Sequence, residues 1–137
     1  MNERYIRQIM IPEIGEAGQE KLKNAKVLIV GIGGLGSPIS LYLTAAGVGQ
    51  IGLIDDDIVS KSNLQRQILY TEAEIGQSKV ECACRRLSAL NSSTRFETYP
   101  NRFTPDNANR LVSAYDIIVD GCDNAATRYL IDDVCSR

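Results

Sequence analysis

Hydrophobic and polar positions divide the chain into short aliphatic runs separated by longer amphipathic stretches. Residues 27–30, V-L-I-V, are aliphatic without a break, the pattern of a strand buried on both faces of a parallel sheet. They run into a glycine cluster, Gly31, Gly33, Gly34 and Gly36. The spacing then predicts a helix over 35–46, with Pro38 in its first turn, where a missing N–H costs little, and Gly47 at its end. Residues 51–54 form a second aliphatic strand that ends in Asp55, Asp56 and Asp57. Strand, helix and strand in so short a span make one βαβ unit with a right-handed crossover.

Downstream, 76–90 reads as a helix with Val80, Cys84, Leu87 and Leu90 facing inward. Residues 96–99 give a weaker third strand, its alternation partly polar. Thr104-Pro105-Asp106 opens a helix running to about Ala114, residues 117–119 form a fourth strand, and a last helix begins near Ala125. Upstream, residues 1–25 read as a solvated helical arm, with Arg4 and Arg7 three apart on one side and Ala17 and Leu22 as its buried positions.

The alternation predicts an α/β fold: a Rossmann-like, mostly parallel sheet with helices on both faces and strand order beginning 3-2-1-4. Residues 1–137 form one nucleotide-binding domain. A sheet that stops at its fourth strand leaves an open edge, so this domain is expected to be the N-terminal portion of a longer, here truncated, one. Residues 58–75 fit neither helix nor strand. They gather Asn63, Gln65, Arg66 and Gln67, and irregular chain of that length inside a compact domain points to function.

Composition narrows the field. A chain of 137 residues, 44% apolar and 23% charged, is an ordinary globular domain. A net charge of -2 offers no footing for nucleic acid or an anionic membrane, and no apolar run approaches the roughly 20 residues of a membrane helix. With no leader at the N-terminus, a cytoplasmic location is expected. The chain has no histidine, and Cys82, Cys84, Cys122 and Cys135 make no C-x-x-C pair. Histidine-dependent catalysis and a zinc site within these residues are excluded, and the thiols read as packing residues.

The glycine turn, placed between strand and helix and followed by Asp55, fits the dinucleotide fingerprint, with the acid on ribose hydroxyls. Three readings stand at this point: a dinucleotide, another nucleotide, or a tight turn with no ligand. Arg66, Lys79 and Asp123 favour a triphosphate. All three follow strands on the carboxyl side of the sheet, where α/β folds bind ligands. A departing pyrophosphate needs cations, and a carboxylate such as Asp123 can hold magnesium. Taken singly, Arg66 and Lys79 would be surface charges, and Asp123-Asn124 a helix cap.

G-I-G-G-L-G, D-D-D-I-V-S-K-S-N-L-Q-R-Q-I-L-Y, G-Q-S-K-V-E and D-G-C-D-N together resemble the ThiF/MoeB/HesA family, bacterial relatives of ubiquitin-activating enzymes. The likeness extends to R-Y-I-R-Q and L-T-A-A-G-V-G, and S-N-L-Q-R-Q is its most specific part. It implies an ATP-dependent adenylyltransferase that activates the C-terminal glycine of a ubiquitin-like sulfur-carrier protein and releases pyrophosphate. By that resemblance Gly31, Gly33 and Gly34 lie against the nucleotide and Asp55 binds the ribose. Ser62, Asn63 and Arg66 contact adenosine and phosphates, and Lys79 the phosphates. Asp123 serves Mg2+ and the reacting centre beside Asn124, and Arg7 reaches across a homodimer into the partner's phosphates. The catalytic set is then Arg7, Arg66, Lys79 and Asp123. Thiamine biosynthesis is favoured over molybdopterin on the I-D-D-D and Q-R-Q-I-L-Y segments. The two C-x-x-C pairs of the family's zinc are absent here, as are its later strands. These residues alone are therefore expected to bind nucleotide without adenylylating a carrier. An NAD(P)-dependent oxidoreductase domain and a non-catalytic scaffold are the rival readings.

Overall fold

A computed structural model describes residues 3–122 and 125–135. A 3-10 turn, Glu3–Tyr5, leads into a one-turn helix, α1 (Ile6–Ile9), and then α2 (Gly15–Asn24). The sheet and its crossovers follow as β1 (Lys26–Val30), α3 (Gly36–Ala46), β2 (Gln50–Ile54), α4 (Lys79–Leu90), β3 (Arg95–Tyr99), α5 (Pro105–Ser113), β4 (Ile117–Asp120) and α6 (Ala125–Cys135). The four strands are parallel in the order β3-β2-β1-β4, the order the βαβ pattern predicts. No helix among the described residues is long and apolar enough to cross a membrane.

The unbroken aliphatics of β1 have partners on both faces, as the sequence requires. Val27 and Ile29 join Ile51 and Leu53 of β2 under α3 and α4, in a core with Val80 and Leu87. Leu28 and Val30 turn to the other side and pack with Ile54, Leu111, Ile131 and Val134 beneath α5 and α6. Both outer strands are only half covered, and Ile117 of β4 is 53% exposed.

The helix predicted from residue 76 begins at Lys79 instead, because Gly76 takes a left-handed φ of 90° that breaks the helical path. Its buried face is also wider than the expected one. Cys82 and Ala83 are fully buried beside Val80 and Leu87, while Cys84 and Leu90 are half-buried. Residues 58–75 are built from two 3-10 turns, Lys61–Asn63 and Glu72–Glu74, each closed by a capping box that supplies locally the hydrogen bonds a longer element would give.

The N-terminal arm is docked rather than loose. Tyr5 is buried, and its hydroxyl accepts a 2.7 Å hydrogen bond from Asn91 Nδ2. Arg4 Nη1 donates to the carbonyl of Leu90 at 2.9 Å, and Gln8 and Gln19 both donate to the carbonyl of Ala46. Gln19 is therefore the buried polar position of α2 and Ala17 is exposed, which corrects the sequence expectation. Leu90 and Ala46 close α4 and α3. Crossover helices run antiparallel to the strands they link, so the arm sits at the amino end of the sheet, opposite the strands' carboxyl ends.

Candidate active site

The carboxyl ends of β1, β2 and β4 open into a cleft of about 780 Å³. Its lining brings together Gly31, Gly33, Gly34, Asp55, Asn63, Arg66 and Lys79, distant in sequence and all singled out from it. Ser62 lies outside the lining, where its carbonyl accepts a 3.2 Å bond from Arg66 Nη1. Arg7, exposed on the arm, lies at the other end of the sheet and is not brought into this cleft. Asp123 and Asn124 lie outside the described residues.

The glycine turn divides by task. Gly31 has φ 92°, and a β-carbon there would stand 2.9 Å from the backbone of Cys122. One on Gly36 would collide with the carbonyl of Gly31, where the first turn of α3 crosses the end of β1. These two serve the protein's own packing. Gly34 is exposed, and the nearest atom to a β-carbon there is Arg66 Nε at 3.8 Å. The fold has room for a side chain at that position, so its bareness has no internal explanation. The N–H groups of Gly33, Gly34 and Leu35 have no acceptor among the described residues, and they stand at the positive end of α3. Such an end is an anion site in waiting.

Asp55 holds the turn from the β2 side. Its Oδ2 accepts the Ile32 N–H at 2.8 Å and its Oδ1 the Asp57 N–H at 2.8 Å. Lys79 is 4% exposed at the first position of α4, where the helix dipole disfavours a cation, and among the described residues its ammonium pairs with Asp57 Oδ2 alone, at 3.7 Å. A buried ammonium so weakly paired gains strongly from a second anion. Arg66 lies over Gly34 with its guanidinium exposed to the cleft. Asn63 accepts from Ser60 N and Ser60 Oγ through Oδ1, so its Nδ2 is the end left for a ligand.

The resemblance to adenylating enzymes also implies a magnesium ion at Asp123. Among the described residues, only Asp55, Asp56 and Asp57 bring carboxylate oxygens within 4.8 Å of one another. They do not fit an ion that demands free oxygens in octahedral geometry. Asp55 is occupied by two N–H groups, Asp56 pairs with Arg102 Nε at 3.9 Å, and Asp57 pairs with Lys79. Charge compensation in the cleft is thus derived from Arg66, Lys79 and the glycine turn.

Sequence reasoning passed over several lining groups. Asn101, Arg102 and Phe103 follow β3, and the rule that ligands meet the carboxyl ends of strands would have found them. Gln67 was seen only as part of a polar cluster. It is 3% exposed, and its Oε1 has no partner among the described residues. Tyr70, behind the lining, was seen only as the end of Q-R-Q-I-L-Y. Its hydroxyl donates to the carbonyl of Ile32 at 2.6 Å, while burial, and then the Asp55 charge, push the phenol well above its ordinary range. Cys82, fully buried, is likewise pushed up, by burial and then by Glu74.

The comparisons with known proteins agree with this fold. The ThiF family model matches residues 5–137. A sulfur carrier protein adenylyltransferase of Thermus thermophilus is 50% identical over 131 residues, 96% of this chain and 48% of the relative. An adenylyltransferase and sulfurtransferase of Culex quinquefasciatus is 53% identical over 132 residues, 96% of this chain and 30% of the relative. The chain thus spans at most about half the length of these curated relatives. Among solved structures, E. coli tRNA N6-threonylcarbamoyladenosine dehydratase in complex with ATP superposes with a TM-score of 0.92 at 29% identity, covering 98% of this chain and 55% of that one.

Proposed function

This chain belongs to the ThiF family, and on that footing we propose that it is the nucleotide-binding part of an ATP-dependent adenylyltransferase. Its acceptor is the C-terminal glycine carboxylate of a small ubiquitin-like sulfur-carrier protein. One observation carries the reading: the buried, weakly paired Lys79 ammonium opens onto the same cleft as the unoccupied N–H groups of the glycine turn.

In the reaction a carrier carboxylate oxygen bonds to the α-phosphorus of ATP. The bond from that phosphorus to the bridging oxygen breaks, and pyrophosphate leaves with the electron pair. The carboxylate is already deprotonated at neutral pH, so no side-chain base is required. The barrier lies in bringing one anion against another, and in the charge that grows on the leaving group. Fixed positive groups lower it where that charge develops. Arg66, Lys79 and the glycine turn hold the phosphate chain, Asp55 and Asn63 take the ribose side, and Asp123 would hold a magnesium ion that offsets charge at the reacting centre.

Arg7 acts from a second copy of the chain. The arm is fastened at the amino end of the sheet, so it is turned away from its own cleft and available to a partner's. The sulfur carrier of thiamine biosynthesis is the acceptor proposed, on the segments that first suggested it, with the molybdopterin carrier as the alternative.

Calorimetric titration tests the nucleotide assignment. Mg-ATP binds the protein, and Lys79→Ala weakens binding by about ten-fold or more, the effect of losing one charge-assisted contact. NADH binding without ATP binding would overturn it in favour of an oxidoreductase domain. With full-length protein, labelled pyrophosphate exchanges into ATP when each carrier is supplied in turn. No exchange with either leaves a non-catalytic scaffold, and exchange untouched by Asp123→Ala removes Asp123 from the reacting centre.

A further inference from the structure

We propose that Tyr70 is a positioning residue for the phosphate-binding turn, acting through the Ile32 peptide. The inference rests on the reading of this turn as the nucleotide's phosphate site.

Ile32 is the residue between Gly31 and the two glycines that face the cleft, and it is gripped at every group it has. Its N–H donates to Asp55 Oδ2 at 2.8 Å, its carbonyl accepts the Tyr70 hydroxyl at 2.6 Å, and its side chain is fully buried. The two grips come from separate parts of the fold, the end of β2 and the irregular stretch after it. Gly33 and Gly34 have no side chain to hold them and no N–H partner among the described residues; on the helix side the Gly33 carbonyl accepts the Ser37 N–H at 3.0 Å. Without a fixed Ile32 peptide these two residues are held from the helix side alone, and glycine is the residue most able to rotate there. Tyr70 therefore removes, before any ligand arrives, the freedom that binding would otherwise have to remove.

The chemistry suits a permanent clamp. The ring is 5% exposed, and burial beside the Asp55 charge keeps the phenol protonated, so it remains a donor to a carbonyl across the working pH range. Ser37 Oγ reaches the same carbonyl only at 3.5 Å and cannot replace it.

Tyr70→Phe deletes the hydroxyl and keeps the ring. The expected result is a dissociation constant for ATP raised about three- to ten-fold, the range of one neutral hydrogen bond. The dissociation constant for adenosine, which lacks phosphates, stays unchanged. In full-length protein the KM for ATP in pyrophosphate exchange rises with kcat nearly constant. The 15N amide resonances of Gly33 and Gly34 in the unliganded variant move and broaden, a readout independent of activity. Wild-type affinity for ATP in a folded variant, or glycine resonances that coincide with wild type, would overturn the proposal. Should the wild-type protein itself bind no ATP, the phosphate-site reading fails first and is seen to fail separately.

Discussion

The glycine turn separates two kinds of bareness that look identical in sequence. Gly36 lacks a side chain because the carbonyl of Gly31 occupies the space, whereas Gly34 lacks one with only the flexible Arg66 nearby. Alanine should therefore act oppositely at the two. Gly36→Ala is expected to destabilise the protein by about 2 kcal/mol or more, as overpacking does, seen as a lowered urea midpoint. Gly34→Ala should leave that midpoint within about 0.5 kcal/mol of wild type while ATP affinity falls in the same titration. Lys79 teaches the complementary lesson. Its place in the motif was legible, but its burial was not, because burial depends on β2, Asp57 and the turn after Gly76 closing over one helix end.

Elements with one periodicity, and the helix opened by Thr104-Pro105, were legible; the stretch 58–75, built from two short capped turns, was not. The run V-L-I-V can only be a strand covered on both sides, and it is. The buried face of α4 is wider than expected: Val80 and Leu87 point inward as read and Cys84 packs partly against the core, while Cys82 is buried beside Gln77 and Arg85, next to the turn that precedes the helix. The loop between β3 and α5 shows how caps build the site. Asn107 Oδ1 accepts the Thr104 N–H at 3.0 Å, and its Nδ2 donates to the Arg102 carbonyl at 2.8 Å. One side chain thereby starts a helix and fixes the segment that lines the cleft. Asn107→Ala should cost about 1 kcal/mol, a fall of roughly 2–5 °C in Tm for a domain of this size. It should also weaken ATP binding, because Arg102 and Phe103 lose their anchor. A Tm change with unaltered affinity would limit Asn107 to capping.

At the scale of the whole molecule, the arm and the cleft occupy opposite ends of one sheet, which sequence could not reveal because Arg7 and Gly31 are neighbours along the chain. If Arg7 serves a partner's cleft, full-length Arg7→Ala and Lys79→Ala proteins are each inactive, but mixing them restores exchange. Random pairing into a two-fold dimer leaves about one quarter of the wild-type sites complete. No recovery on mixing would place Arg7 outside the reaction. The Lys79–Asp57 pair has a consequence for capture. The protein is net negative, and the buried ammonium already has a resident anion, so its charge is largely cancelled as seen from a distance. An incoming triphosphate is then expected to arrive by ordinary collision, without a long-range field, and to join Asp57 as the second anion at Lys79. The association rate measured by stopped flow should therefore change less than about threefold between about 50 and 300 mM salt, unlike the steep fall of a steered encounter. A nucleotide with fewer charges gains less from Lys79, whose first anion is already in place.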